Sequence, residues 1–223
     1  MLELIWKGAL IGTGATLAMD LWAVILTLVF KQPRANWAPV GRWFYHLKHG
    51  KVFHESIAEA KPYTHELALG WIAHYVVGIA YGIMLALMVG PAWFATPTFL
   101  PAWIWGIVTV AAGWFLLQPG LGIGWAASKT PNPNKVRALN LVAHTVFGLG
   151  LWLVVFGLRW RGRWCQLRHF QGGHPIRDLA VFLLFGRLYR ALVDRHDGTH
   201  TNDGNEHEPC NRCQLVGTAL AVD

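Results

Sequence analysis

Apolar residues dominate four long stretches of this chain, and shorter polar segments separate them. A helix needs about 20 mostly apolar residues to cross a hydrocarbon core about 30 Å thick. The clearest region runs from Leu67 to Ser128 without a single Asp, Glu, Lys or Arg. The pattern therefore predicts an all-α integral membrane four-helix bundle, with spans at Ile5–Phe30, Leu67–Val89, Leu100–Ser128 and Ala138–Leu158.

The first of these stretches carries two charged residues that differ in position. Lys7 lies near one end, where its ammonium group can extend to the lipid headgroups, but Asp20 lies in the interior. A cleaved secretory signal has a basic start and a short apolar centre, whereas this stretch opens with Glu3 and is too long. We expect it to be retained as a span.

The cations of the chain, which has a formal net charge of +7, are distributed by loop. Connections 31–65 and 129–137 are basic, whereas Gly90–Phe99 has no charged residue. The positive-inside rule predicts that both basic loops are cytoplasmic and that the N-terminus lies outside, although Arg159, Arg161 and Arg163 oppose this. This distribution makes the lipid bilayer the expected partner and requires no nucleic acid; a homo-oligomer is a further expectation.

The first basic loop contains two segments with structural signals. Val40–Lys48 mixes aromatic and basic residues, which is typical of an amphipathic segment on a membrane surface. Ser56–Glu59 fits a capping box and predicts a short surface helix that Pro62 stops. Several of the 13 tryptophans lie at predicted span boundaries, as indole rings do at membrane interfaces.

Spans two and four share a phrase, A-H-x-V-x-G, which begins at Ala73 and again at Ala143. Gly8 precedes Asp20 by the same number of residues that separate Gly106 from Gln118. Together these matches suggest a duplicated helical hairpin with an axis along the membrane normal.

Glycines punctuate the spans, with Gly78 and Gly82 at G-x-x-x-G spacing. Because lipid gives helices no hydrophobic drive to associate, such glycines predict close helix contacts. The segment Gln118–Gly122 differs, since its proline removes a backbone hydrogen bond. Span three is predicted to kink or unwind there, which is tolerated at membrane depth only against protein or water.

Four polar side chains are predicted at a common depth, between about 9 and 15 Å from the cytoplasmic boundary at helical rise. They are Asp20, His74, Gln118 and His144, one from each span. Ionisable groups inside a membrane are functional by default, because an unpartnered charge there costs several kcal/mol. These four are the candidate binding or relay residues if they turn inward together.

Several interpretations of this layer remain open. A proton or cation relay, serving transport of a small molecule or ion, would use Asp20 with His74 or His144. A haem or divalent-metal site would use His74 and His144 as ligands, although no cofactor is expected. A scaffold would need the groups only as hydrogen-bonding clasps between helices. Soluble-type catalysis has no supporting motif, so an enzyme is disfavoured.

A series of motifs over residues 1–157 resembles one bacterial family of membrane proteins, the "domain of unknown function 2938". The motifs include G-A-T-L-A-M-D-L-W from Gly14, G-W-I-A-H-Y from Gly70 and Q-P-G-L-G from Gln118. The resemblance implies a small four-span protein of the bacterial inner membrane, and the family has no established activity to transfer. The positive-inside rule makes the N-terminus periplasmic. The resemblance also implies that further positions are typical of the family, which makes secondary candidates of Arg42, His54, Glu66 and Ser128.

The chain divides into a transmembrane domain at 1–158 and an atypical basic tail at 159–223. The tail holds all three cysteines and has arginine but no lysine. We interpret it as a frameshifted or fused segment, with Ile176–Val193 at the interface and disorder at the end. Its single C-x-x-C, Cys210 to Cys213, is weak support for a zinc site.

Overall fold

The computed structural model describes residues 1–33 and 35–171, with side chains described as far as Trp160. This part of the chain is all helical and contains no strand. Five helices follow one another: α1 (Leu2–Leu28), α2 (Ala38–Leu47), α3 (Glu66–Ala95), α4 (Phe99–Gly120) and α5 (Pro133–Gln171). Helix α3 is broken at Gly90, where φ is +70°, so its first regular part ends at Val89, where the second span was predicted to end. Four of these helices are long and apolar enough to cross a membrane, judged by length and composition: α1, α3, α4 and the Pro133–Trp160 part of α5.

Helices α1 and α3 cross at very short backbone distance because glycines lie on both sides. Gly12 lies against the backbone of Gly78, and Gly8 lies against the backbone of Gly82. The order of these contacts makes the two helices antiparallel. As the spacing predicted, the absence of side chains lets the backbones approach and pack closely.

The other long helices complete a four-helix arrangement through similar contacts. Gly106 of α4 lies against Gly148 of α5, and Gly150 of α5 lies against Ala15 of α1. The indole N–H of Trp105 in α4 donates to the carbonyl of Tyr81 in α3, at 3.0 Å. The shared interior is apolar and contains Ile11, Ala15, Leu85, Trp93, Ala102, Phe147, Leu151 and Val155.

The outer faces of these helices carry many large apolar side chains, including Leu17, Ile72, Val76, Ile104, Val108, Leu153 and Phe156. Soluble monomers rarely leave contiguous apolar surface of this kind uncovered. The four long helices are therefore apolar both inside and outside the arrangement.

Two predictions differ from the structure: the end of the third span and a short surface helix in the first loop. The third span was expected to reach Ser128, but α4 ends at Gly120, since Gly122 and Gly124 have φ values of +85° and +78°. These values belong to the left-handed region, which an α-helix cannot include. The expected surface helix at Ser56–Glu59 is wrong: the segment forms only a turn, in which the Glu59 N–H donates to the Ser56 carbonyl at 3.3 Å.

The predicted duplication does not extend to equivalent helix contacts. In the repeat, Gly8 corresponds to Gly106 and Gly78 corresponds to Gly148. Gly106 contacts Gly148, but Gly8 contacts Gly82, and Gly78 contacts Gly12 instead. The two antiparallel pairs thus differ in register by one helical turn.

The predicted domain boundary at 158 falls within helix α5. The interpretations of Ile176–Val193 and of the cysteines near the end concern residues outside those that the structure describes.

Candidate functional site

A buried carboxylate joins α1 to α3. Oδ1 of Asp20 lies 3.0 Å from Nε2 of His74, and Oδ2 accepts a hydrogen bond of 2.7 Å from the Tyr75 hydroxyl. The side chains of Asp20 and His74 are only 7% and 10% exposed. Both carboxylate oxygens are therefore engaged inside the helix pair, and one proton can be held between the imidazole and the carboxylate.

The segment that leads into α2 covers this pair. The Trp37 indole stacks on the His74 imidazole, with ring centroids 4.0 Å apart. Gly70 makes the stack possible, because a side chain there would collide with the Trp37 carbonyl. The loop between α1 and α3 thus fixes the ring plane of His74.

Arg42 joins α2 to the start of α3 and to the loop between these two helices. Its Nε and Nη2 atoms donate to the two carboxylate oxygens of Glu66, at 2.7 and 2.8 Å. Its Nη1 atom donates to the carbonyls of Ile57 and Ala58, each at 3.0 Å. The hydrogen bond to Glu66 raises the pKa of the Arg42 guanidinium, which is charged at neutral pH in any case. Through these charge-assisted hydrogen bonds Arg42 acts as a clamp between α2, α3 and the loop that joins them.

Gln118 takes part in an amide cluster between α4 and α5. With the Asn140 amide in the orientation that satisfies its neighbours, its oxygen accepts from Nε2 of Gln118 at 2.8 Å and from Nε1 of Trp114 at 3.1 Å. The Asn140 nitrogen donates to the Val136 carbonyl at 3.3 Å. The Oε1 atom of Gln118 is buried and has no hydrogen-bond partner in the structure.

His144 also joins α4 to α5, through different groups. Its Nδ1 atom lies 2.9 Å from the hydroxyl of Thr109 and 3.1 Å from the carbonyl of Gly106. The Thr109 hydroxyl in turn donates to the same carbonyl at 2.6 Å. His144 is thus held in a local hydrogen-bonding triangle at the helix contact.

Two secondary candidates lie where the loops meet the end of α4. The Nδ1 atom of His54 lies 3.0 Å from the Gly120 carbonyl, which also accepts the His54 backbone N–H at 3.2 Å. Ser128 closes the short turn after α4, where its backbone N–H donates to the Trp125 carbonyl at 3.0 Å. His54 fastens the loop to α4, whereas Ser128 is solvent-exposed.

The structure pairs Asp20 with His74 but gives Gln118 and His144 separate partners. Among the described residues, no hydrogen bond or ion pair connects the first two with the last two. The two histidines that would ligate a haem or metal are each hydrogen-bonded within a different helix pair. Among these residues, no group of three His, Cys, Asp or Glu side chains is placed to hold a metal ion.

Sequence reasoning missed several polar partners. Tyr75 follows His74 directly, and adjacent helical residues do not normally face one partner, so no pattern predicted its bond to Asp20. Trp37 is one of the tryptophans that the sequence places near membrane interfaces, and that pattern does not predict its stack on His74. Asn140 had a usable signal, because it lies four residues before His144 and therefore on the same helix face.

Comparison with known proteins gives one match. A family model described as "Protein of unknown function (DUF2938)" matches residues 9–157, which confirms the resemblance predicted from the motifs. No curated protein and no solved structure matches the chain.

Proposed function

Because this chain belongs to the family described as "Protein of unknown function (DUF2938)", whose description supplies no activity to transfer, we propose a function from its own geometry. The protein is a multi-pass protein of the bacterial inner membrane that relays protons through Asp20 and His74. The relay serves the transport of a small molecule or an ion.

The membrane location is supported by the distribution of apolar side chains. All four long helices carry exposed leucine, isoleucine, valine or phenylalanine on their outer faces. Exposing these apolar side chains to water would be unfavourable, and contact with lipid chains would remove that cost in free energy. The basic loops 31–65 and 129–137 face the cytoplasm in this proposal, which places the N-terminus in the periplasm.

The observation that carries the proposal is the 3.0 Å approach of His74 Nε2 to Asp20 Oδ1 inside the span pair. Imidazole gains and loses a proton near neutral pH, so it is suited to exchange with a carboxylate. Intramembrane carboxylate and histidine groups commonly form such relays. The pair lies beneath Trp37, at the end of α3 that is nearest to the basic loop.

A purely structural clasp is the competing interpretation, and Asp20→Asn separates the two. Asparagine can accept from His74 through its oxygen and donate to the Tyr75 hydroxyl through its nitrogen, so a clasp would survive. It cannot bind and release a proton. The substitution therefore removes the proposed chemistry while it keeps the hydrogen-bonding geometry.

The test uses purified protein in lipid vesicles that contain a pH-sensitive dye, with a membrane potential imposed by potassium and valinomycin. We expect the wild-type protein to accelerate the internal pH change relative to empty vesicles, and Asp20→Asn to return the rate to the empty-vesicle value. Thr109→Val is the control, since it removes a buried polar group from the other helix pair. Equal rates for the wild type and Asp20→Asn would overturn the proposal.

A further inference from the structure

The segment 125–137, which joins α4 to α5, carries positive charge that no acidic side chain neutralises. Lys129 and Lys135 are exposed, and Arg137 is partly buried near the start of α5. Within the part of the chain that the structure describes, none of these three cations takes part in an ion pair. The sequence itself has no Asp or Glu between Glu66 and Asp178. The segment therefore keeps its positive charge.

Hydrogen bonds hold this segment in a compact form. Nε of Arg137 donates to the Ala126 carbonyl at 2.9 Å, which joins α5 to the turn just before Lys129. The side-chain oxygen of Asn132 accepts the backbone N–H of Lys135 at 3.3 Å. The short chain from Lys129 to Asn132 spans at most about 11 Å even when fully extended. All three cations thus extend from one compact stretch of backbone.

The guanidinium of Arg137 is fixed in place without being neutralised. Its Nη1 atom donates to the Asn134 side-chain oxygen at 3.2 Å, and its Nε atom donates to a backbone carbonyl. Both acceptors are uncharged, whereas Arg42 pairs with a carboxylate. A guanidinium has five N–H donors, and Nη2 of Arg137 makes no hydrogen bond to any described residue. A fixed arginine with free donors is suited to the oxygens of a phosphate group.

Helix stability does not account for these cations. The first turn of α5 has no acidic residue, although the positive end of the helix dipole favours acids there. Lys135 lies in that turn, and Arg137 follows directly. The positive-inside rule accounts for the sign of the charge, but it does not require an arginine that is held by two hydrogen bonds. A bound anion would relieve the repulsion among the three cations.

Apolar surface of the outer helix faces begins beside this segment. The Trp125 side chain is exposed, and its ring centroid lies 5.6 Å from that of Phe115 on the outer face of α4. On α5, Leu141 and Val142 are exposed about one turn beyond Arg137. Indole rings at such a boundary are typical of the lipid headgroup region. A ligand that matches both features is anionic at one end and apolar at the other.

We infer that the 125–137 segment binds an anionic phospholipid, whose phosphate contacts Lys129, Lys135 and Arg137. Its acyl chains lie along Trp125 and the outer face of α5. Basic segments next to membrane helices attract anionic lipids in this way. The site lies between α4 and α5, whereas Asp20 and His74 join α1 to α3, so it does not depend on the proposed relay.

The test measures thermal unfolding of the full-length protein in an uncharged detergent during titration with dioleoylphosphatidylglycerol. Dioleoylphosphatidylcholine supplies the same acyl chains on a headgroup without net charge, and glycerophosphorylglycerol supplies the anionic headgroup without acyl chains. A ligand of the folded state raises the midpoint, so we expect a saturable rise with phosphatidylglycerol alone. An equal rise with phosphatidylcholine, or with the headgroup alone, would overturn the inference.

Single lysine substitutions test the assignment to this segment. Lys129→Gln and Lys135→Gln should each raise the half-saturating lipid concentration about fivefold, which is the contribution expected of one cation beside anionic lipid. Lys51→Gln removes an exposed cation from the other basic loop and should leave this concentration unchanged. Equal effects of all three substitutions would indicate general attraction between opposite charges and would overturn the inference.

Arg137→Lys separates a built site from a patch of charge. Lysine keeps the charge but cannot hold Ala126 and Asn134 while it also contacts a phosphate. The half-saturating lipid concentration should therefore rise at least as much as in Lys129→Gln, and an unchanged value would overturn the inference. Asp20→Asn should keep the wild-type value, so failure of the relay and failure of the lipid site are distinguishable.

Discussion

His74 and Asp20 meet across the contact between α1 and α3 although 54 positions separate them in the chain, with Nε2 and Oδ1 only 3.0 Å apart. Gly12 and Gly78 lie against one another in the same helix pair and hold the two backbones close. The polar pair therefore depends on apolar packing, because the glycine contact positions the helices from which both side chains extend.

The glycine contact predicts a difference between two Gly→Ala substitutions. At Gly12 a methyl group would collide with the backbone of Gly78, whereas at Gly157 it would meet nothing within 4 Å. Gly12→Ala should lower the free energy of unfolding by about 1–3 kcal/mol. Gly157→Ala should raise it by up to about 1 kcal/mol through helix propensity. Denaturation in detergent measures both, and equal effects would contradict the close packing described above.

The Arg42 clamp predicts that a charge-conserving substitution is not tolerated. Lysine cannot reproduce the two-pronged contact with Glu66 or reach the loop carbonyls at the same time. Arg42→Lys should lose about 1–3 kcal/mol of unfolding free energy and speed up amide hydrogen exchange in residues 57–63. Lys51→Arg, at an exposed position, is the control. Unchanged exchange in Arg42→Lys would show that the loop is held by other contacts.

His144 is predicted to contribute to stability and not to the proposed relay. Its hydrogen bonds to Thr109 and Gly106 lie within the α4–α5 contact. His144→Leu should therefore lower the midpoint of thermal unfolding while vesicle proton uptake per folded protein stays at the wild-type rate. A loss of uptake as complete as that of Asp20→Asn would instead support the four-residue relay that the sequence pattern suggested.

The stacked ring of Trp37 is predicted to hold the His74 imidazole in its plane. Trp37→Leu removes the aromatic face, whereas Trp37→Phe retains one. We expect the leucine variant to broaden the side-chain nitrogen resonances of His74 in NMR spectra and the phenylalanine variant to keep them narrow. Identical spectra for the two variants would mean that Asp20 alone orients the ring.

The sequence predicts the long helices well because the length of an apolar stretch depends only on local composition. It predicted all four long helices, close helix contacts at glycines, and the family, but not which helices the glycines join. It placed the end of α4 too late, because the apolar run continues through Gly122 and Gly124, where the backbone turns left-handed. Local composition does not reveal where φ changes sign.

The candidate site was harder to predict, since depth along a helix does not fix rotation about its axis. Asp20, His74, Gln118 and His144 were expected at one depth, but their facing directions depend on packing between helices. A register difference of one turn between the two helix pairs gives Asp20 a histidine partner and gives Gln118 an amide cluster. Tertiary contacts of this kind are absent from any one-dimensional pattern.

In the proposed relay, the carboxyl group of Asp20 binds and releases a proton beside His74. Infrared difference spectroscopy of the protein in lipid, recorded between acid and alkaline pH, measures this directly through the carbonyl band of a protonated carboxyl group. We predict a pH-dependent band that is absent in Asp20→Asn and shifted in frequency in His74→Gln. A spectrum in which the Asp20→Asn and wild-type bands coincide across the whole pH range would contradict the account.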